Sequence, residues 1–265
     1  MTKPLFLLPV LALFGLLGTA FGVIAKEPQR IAFYGWQEHY PPYFYQRNGQ
    51  LTGITVDILK SAFDELGYEV DFRFVPTGRL ALNITLGELD CVMQYVIKGQ
   101  PLTRNVNTFE ISSEPLFTTQ LQVFARPNSD IGSLNRQQLG NHRMGIIRTP
   151  QFGPEQWALM GLEMADRHYY SDFQQVIKAL YSERVDLITI NPVIIETLLP
   201  SMGIAARPKT VHPLNDVDSH LGFSRRSSNI DAKALVKRFD QALIALKARG
   251  EVNRIIHRHS PWLRR

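Results

Sequence analysis

Short apolar runs alternate with stretches of helical period along the chain, the pattern of a mostly parallel sheet flanked by helices. Ile31 to Tyr34 reads as the first strand. From Thr55 to Leu66, the residues Val56, Leu59, Ala62, Phe63 and Leu66 share one helical face, and Gly67 supplies the stop. Glu69 to Val75 alternates as a strand, Arg79 to Leu86 predicts a short helix, and Leu89 to Met93 an apolar strand. The pattern then recurs. A strand at Arg143–Ile147, a helix-compatible stretch from Pro154 to Met164, a strand at His168–Tyr170, a helix over Asp172–Ser182 and a strand at Asp186–Ile190 form a second unit. No close sequence repeat accompanies it, so the units share architecture rather than a repeating motif. Leu235, Phe239, Ala242, Leu243 and Leu246 fall on one stripe that predicts a long helix ended by Gly250, with a shorter one over Val252–Arg258. No Pro/Gly/Ser-rich linker separates the units, so strands rather than a tether are expected to join them.

The first 25 residues stand apart. Lys3 gives a positive start, and Leu5 to Ile24 is apolar without a charge, interrupted by Pro9, Gly15, Gly18 and Gly22. Val23-Ile24-Ala25 has small residues where a signal peptidase tolerates them, so a signal peptide over residues 1–25 and a periplasmic location are expected. A retained membrane anchor is the alternative, because about 20 apolar residues span a bilayer. Removal lowers the formal charge from +5 to +4, since Lys3 is the only charged residue lost.

Composition changes this picture little. With 265 residues, 45% of them apolar and 20% charged, the chain is large enough for two packed lobes and too apolar for disorder. The 24 acidic residues are interspersed among 29 basic ones without a dense basic run, so nucleic acid is not an expected partner. The single Cys91 forms no internal disulfide and is expected as a buried small residue. Neither a Gly-x-Ser-x-Gly elbow nor a phosphate-binding loop occurs, and no cofactor is expected. His257 and His259, two apart on a helix, read as a solvated basic end rather than a metal pair.

Several segments together resemble the bacterial family 3 extracellular solute-binding proteins, over nearly all of residues 29–263. The most specific is Tyr40-Pro41-Pro42-Tyr43-Phe44-Tyr45 followed by Gly49 and Leu51-Thr52-Gly53-Ile54-Thr55-Val56-Asp57-Ile58-Leu59. Arg79 to Asp90, Thr103-Arg104, Leu180 to Asp186 and the terminal stretch Ala232–Trp262 follow in the family's order. The resemblance implies an α/β, two-lobe periplasmic-binding-protein type II fold with a ligand cleft between lobes. Lobe 1 would comprise residues 27–124 plus 223–265, and lobe 2 residues 125–222.

It also implies the ligand-binding residues. Arg104 falls near the family's carboxylate-binding arginine, and a guanidinium matches a carboxylate with paired donors. Trp36, Tyr40, Tyr43 and Tyr95 lie at strand ends or in the loop after the first strand, where open α/β sheets hold ligands, although core packing suits aromatics equally well. Gln94 and Thr103 offer hydrogen bonds on the same lip, and Arg79 a further cation. In lobe 2, Arg148 and Thr149 occupy the family's anion-facing turn, but Pro150 removes a donor there. Asn191 stands where the amino-acid receptors often carry an aspartate for the ligand's ammonium, and a neutral amide cannot supply that charge; its plainer reading is a helix N-cap before Pro192.

The expectation is therefore a monomeric binding protein that captures a small polar, carboxylate-bearing ligand, an amino acid or related organic anion, and delivers it to the membrane subunits of an ABC importer. Two other readings share the scaffold: a cyclohexadienyl-dehydratase-like enzyme, for which Glu155 and Glu196 are the acids by position, and a ligand sensor for a membrane signalling protein.

Overall fold

The computed structural model describes residues 29–35, 39–100, 107–148 and 153–261; the expected signal peptide lies outside them. Strand β1 (Gln29–Gly35) is followed by the hairpin β2 (Tyr45–Arg47) and β3 (Gln50–Thr52), then α1 (Ile54–Asp64), β4 (Tyr68–Phe74), α2 (Thr77–Leu86) and β5 (Cys91–Ile97). Next come β6 (Phe109–Ile111), β7 (Phe117–Ala125), α3 (Arg136–Leu139), β8 (Arg143–Ile147), α4 (Pro154–Leu159), β9 (Asp166–Tyr170) and α5 (Phe173–Tyr181). The last elements are β10 (Leu187–Ile190), α6 (Pro192–Ser201), the long β11 (Lys209–Ser224), α7 (Ala232–Ala248) and α8 (Glu251–His259).

The main sheet runs in the order β4-β1-β5-β11-β7-β10-β8-β9, with β6 also paired to β11. Strands β4, β1 and β5 are parallel, as are β10, β8 and β9. These are the two α/β units expected from the alternating pattern. Between them lie β7 and β11, antiparallel to each other and to their outer neighbours. The chain passes from the first unit to the second through β7 and returns through β11, so paired strands join the units rather than a tether.

The terminal helix is held by the stripe that predicts it. Leu235, Phe239, Leu243 and Leu246 of α7 are buried, each worth about 1.5–3 kcal/mol on removal from water. Phe239 packs against Phe63 of α1 and Phe223 of β11 with ring centroids 5.2 and 5.4 Å apart. Cys91 is fully buried, and that burial pushes its thiol well above the usual range.

Two expectations need correction, and one strand had no counterpart in the sequence pattern. The helix expected from Pro154 to Met164 ends at Leu159: Met160 and Leu162 still turn into the core, but Met164 is 78% exposed. Strand β11 has a weak local signal because Pro213 lies inside it; the register shifts between Pro213 and Asp216, where a bulge absorbs the missing donor. His259 is buried rather than solvated, because Val252, Ile255 and His259 lie on one face of α8 and that face turns inward.

Candidate functional site

The segment from Tyr40 to Gly53 is built against the start of α1. An α-helix opens with amide donors that have no partner within the helix. Here Ile54 N donates to the Pro42 carbonyl at 2.9 Å and Thr55 N to the Tyr43 carbonyl at 3.3 Å. Close approach is possible because residue 53 is glycine: φ is 133°, and a Cβ would collide with the Tyr43 carbonyl oxygen. Tyr40 and Phe44 exchange backbone hydrogen bonds of 2.7 and 2.9 Å, which closes the loop. Tyr40 and Tyr43 are thereby presented on a fixed frame.

Both face the second unit. The Tyr40 ring stacks on Phe173, at the first turn of α5, with centroids 4.7 Å apart and planes 14° from parallel. Tyr43 stacks on Phe117 of β7 at 5.1 Å, and its hydroxyl accepts a 2.7 Å hydrogen bond from Asn191 Nδ2. Asn191 caps α6, where its Oδ1 accepts from Val193 N at 2.9 Å, as its plainer reading holds. Both polar ends of the amide are therefore engaged by the chain.

These contacts border an inner cavity of ≈ 90 Å³. The first unit contributes Tyr40 and Tyr95, and the joining strands contribute Thr119, Leu121 and Val217. The second unit contributes Ile146 and Ile147 at the end of β8, Trp157, Phe173, and Thr189, Ile190, Asn191 and Ile194 around the end of β10. The cavity thus sits at the carboxyl ends of parallel strands from both units, the usual place for a ligand in open α/β sheets. Its walls are aromatic and aliphatic, and among the described residues no acid or base lines it. Thr189 Oγ1 is buried without a hydrogen-bond partner among the described residues. Such a hydroxyl costs about 1–3 kcal/mol, so a solute group that bonds to it is favoured.

Among the described residues, the cavity lining is electrostatically neutral. Burial pushes the hydroxyls of Tyr40, Tyr43 and Tyr95 well above the ordinary tyrosine range. The Tyr95 hydroxyl adds to the effect at Tyr40 and Tyr43, while the bond from Asn191 opposes it at Tyr43. All three remain protonated in the physiological range and serve as neutral hydrogen-bonding groups.

The remaining expected residues are placed variously. Arg148 is exposed and directly follows Ile147 of the cavity wall; its backbone N donates to the Tyr170 carbonyl at 2.8 Å, and its guanidinium forms no ion pair among the described residues. Gln94 is buried on the opposite side of β5 from Tyr95, close to Gly222 and Phe109. Arg79 is exposed on α2 and lines neither this cavity nor the one beside it. Trp36, Thr103, Arg104 and Thr149 lie outside the described residues. Sequence reading missed the wall residues Trp157, Phe173, Thr189 and Ile194: each sits in an ordinary apolar pattern, and only the pairing of the two units brings them together. Of the acids considered for catalysis, Glu155 is exposed on α4 and Glu196 pairs with Arg207 at 2.7 Å; neither lines the cavity.

The profile of bacterial extracellular solute-binding proteins, family 3, matches residues 33–261. The chain belongs to that family. Its architecture is the two-lobe type II fold of periplasmic binding proteins. The arginine-binding extracellular protein ArtP of Bacillus subtilis is 21% identical over 227 residues, covering 83% of this chain and 82% of that protein. An ancestral arginine-binding protein bound to arginine superposes with a TM-score of 0.69 at 16% identity, covering 88% of this chain and 99% of the other. A histidine kinase sensor domain with similarity to periplasmic binding proteins reaches 0.71 at 16% identity over 88% and 96%. An ancestral amino-acid-binding protein described as a precursor of cyclohexadienyl dehydratase gives 0.67 at 16% identity over 88% and 95%. At these identities the superpositions speak for the fold. This family 3 cleft carries its own side chains, described above.

Proposed function

We propose that this chain is a periplasmic solute-binding protein that closes its cleft around a small carboxylate-bearing solute, an amino acid or related organic anion, and delivers it to an ABC importer. The observation that carries the reading is the inner cavity itself, walled by both units at their strand ends, with apolar sides for a solute body and Thr189, Tyr95 and Thr119 hydroxyls for its polar end. Arg148 beside the wall, together with Arg104, supplies the charge for a carboxylate. The lobes take the boundaries 27–124 plus 223–265 and 125–222, with β7 and β11 as the hinge strands. Residues 1–25 export the protein, which acts as a monomer.

Binding is favoured over dehydratase chemistry because neither Glu155 nor Glu196 reaches the cavity wall, and elimination of a hydroxyl needs an acid within hydrogen-bond reach. A thermal-shift screen of residues 26–265 against α-amino acids, dicarboxylates and aromatic acids tests the reading. A solute at 100 times its dissociation constant stabilises the protein by ~2.7 kcal/mol, a readily measured shift. Turnover of prephenate to phenylpyruvate would overturn the reading in favour of the enzyme.

A further inference from the structure

The inner cavity has a neighbour. A second cavity of ≈ 270 Å³ is lined by Tyr43, Phe117, Gln120, Pro192, Val193 and Ile256 among others. The two cavities share Thr119 and Asn191 in their walls. At the shared wall stands the 2.7 Å bond from Asn191 Nδ2 to the Tyr43 hydroxyl, a pair 148 residues apart in sequence and buried at 3% and 4% exposure.

We infer that the Tyr43–Asn191 pair is a gate between the two adjoining cavities, and that the same bond latches the two lobes. This inference rests on the two-lobe cleft being the solute site. Both partners belong to the chain, so the bond favours closure whether or not a solute occupies the cleft. A solute passing between the cavities must part the pair, and the pair re-forms behind it. Each side is held rigidly. Tyr43 is braced by Phe117 and by the carbonyl contacts to α1, and Asn191 by its cap bond to Val193 N. A fixed donor and a fixed acceptor on separate lobes meet in one relative placement of the lobes, so the bond selects the closed state over the open one.

Pulsed-dipolar distance measurement between spin labels tests this without any solute, so its outcome is independent of the thermal-shift screen. Leu86→Cys and Met164→Cys place the labels on the two lobes at 59% and 78% exposed positions, while the native Cys91 is fully buried and escapes labelling. Tyr43→Phe removes only the hydroxyl and keeps the ring stack. Asn191→Ser keeps an N-cap oxygen but is too short to reach Tyr43. Each is expected to raise the ratio of long to short label distances by about two- to tenfold, the range of one net hydrogen bond. Tyr45→Phe, which removes a hydroxyl two residues away that does not cross the cleft, is the control and is expected to leave the distribution unchanged. Unaltered distributions in both gate variants would overturn the inference, as would an equal broadening in the Tyr45→Phe control.

Discussion

Two tyrosines separated by a single residue send their hydroxyls in opposite directions. Tyr43 reaches across the cleft to a neutral amide, whereas Tyr45 stays within its own lobe and bonds to His259 Nδ1 at 2.8 Å. His259 in turn places Nε2 2.7 Å from Asp57 Oδ2, and Arg258 lies 3.5 Å from the same oxygen. The first bond joins neutral groups, and in the latch inferred above it forms as the lobes close. The second sits in a charged relay that ties α8 to α1 and the β2–β3 hairpin. A contact that must break and re-form is well served by a neutral bond worth about 1 kcal/mol, while a permanent anchor is served by an ionised partner and bonds about twice as strong. The stretch Tyr40–Tyr45 is thus at once cleft wall and structural anchor.

The strongest way to break this comparison is to remove the anchor's centre. His259→Ala leaves Asp57 and the Tyr45 hydroxyl without their main partner and is expected to cost about 1.5–3 kcal/mol, read as a fall in the urea midpoint at unchanged slope. A loss under about 0.5 kcal/mol would show that the relay does not hold α8. Acid is the next lever. Burial pulls the Asp57 carboxyl upward, but the bond and charge of His259, with Arg258 and Lys60, outweigh this and hold it below the ordinary aspartate range. A lowered folded value contributes stability above the unfolded value of about 3.9 that disappears as pH falls through the folded one. The urea midpoint of the wild type should therefore fall more steeply below about pH 4 than that of Asp57→Asn, and equal slopes would remove the ionic part of the account.

Smaller effects sharpen the distinction. Tyr45→Phe is expected to cost about 1 kcal/mol by the same unfolding measurement, since Asp57 and His259 keep each other. The smallest effect lies at the gate. In a double-mutant cycle, Tyr43→Phe and Asn191→Ser should couple by about 0.5–1.5 kcal/mol, whereas Tyr43→Phe and Tyr45→Phe should add within about 0.5 kcal/mol. Coupling in the second pair and none in the first would reverse the roles assigned to the two hydroxyls.

The same loop shows what a sequence discloses and what it withholds. The two α/β units, α1, α5, α7 and the family resemblance were legible because each rests on a local period or a contiguous motif such as Tyr40–Leu59. The run of aromatics suited a ligand wall and core packing equally well. Their separate destinations were not legible, because the partners Phe173, Asn191 and His259 are more than a hundred residues away and no local pattern pairs them. Strand β11 was hidden by Pro213, and His259 looked solvated because Arg254, His257 and Arg258 surround it in sequence with charge, while the spacing to Val252 and Ile255 decides its face. Asn191 was readable as a cap, since Asn-Pro at a helix start is a local signal. Its bond to Tyr43, 148 residues away, is a property of the tertiary fold alone.

If the solute sits in the cleft between the lobes, Thr119 is the position at which its binding is most directly blocked. It lines both cavities and is only half-buried, so Thr119→Trp fills the space where they meet at little cost to folding. The measurement is the thermal shift produced by the best solute of the screen in wild type and in Thr119→Trp, each first shown to unfold cooperatively. A clear shift is expected in the wild type and its loss in the variant. An equal shift in both would place the solute outside the cleft and contradict the account.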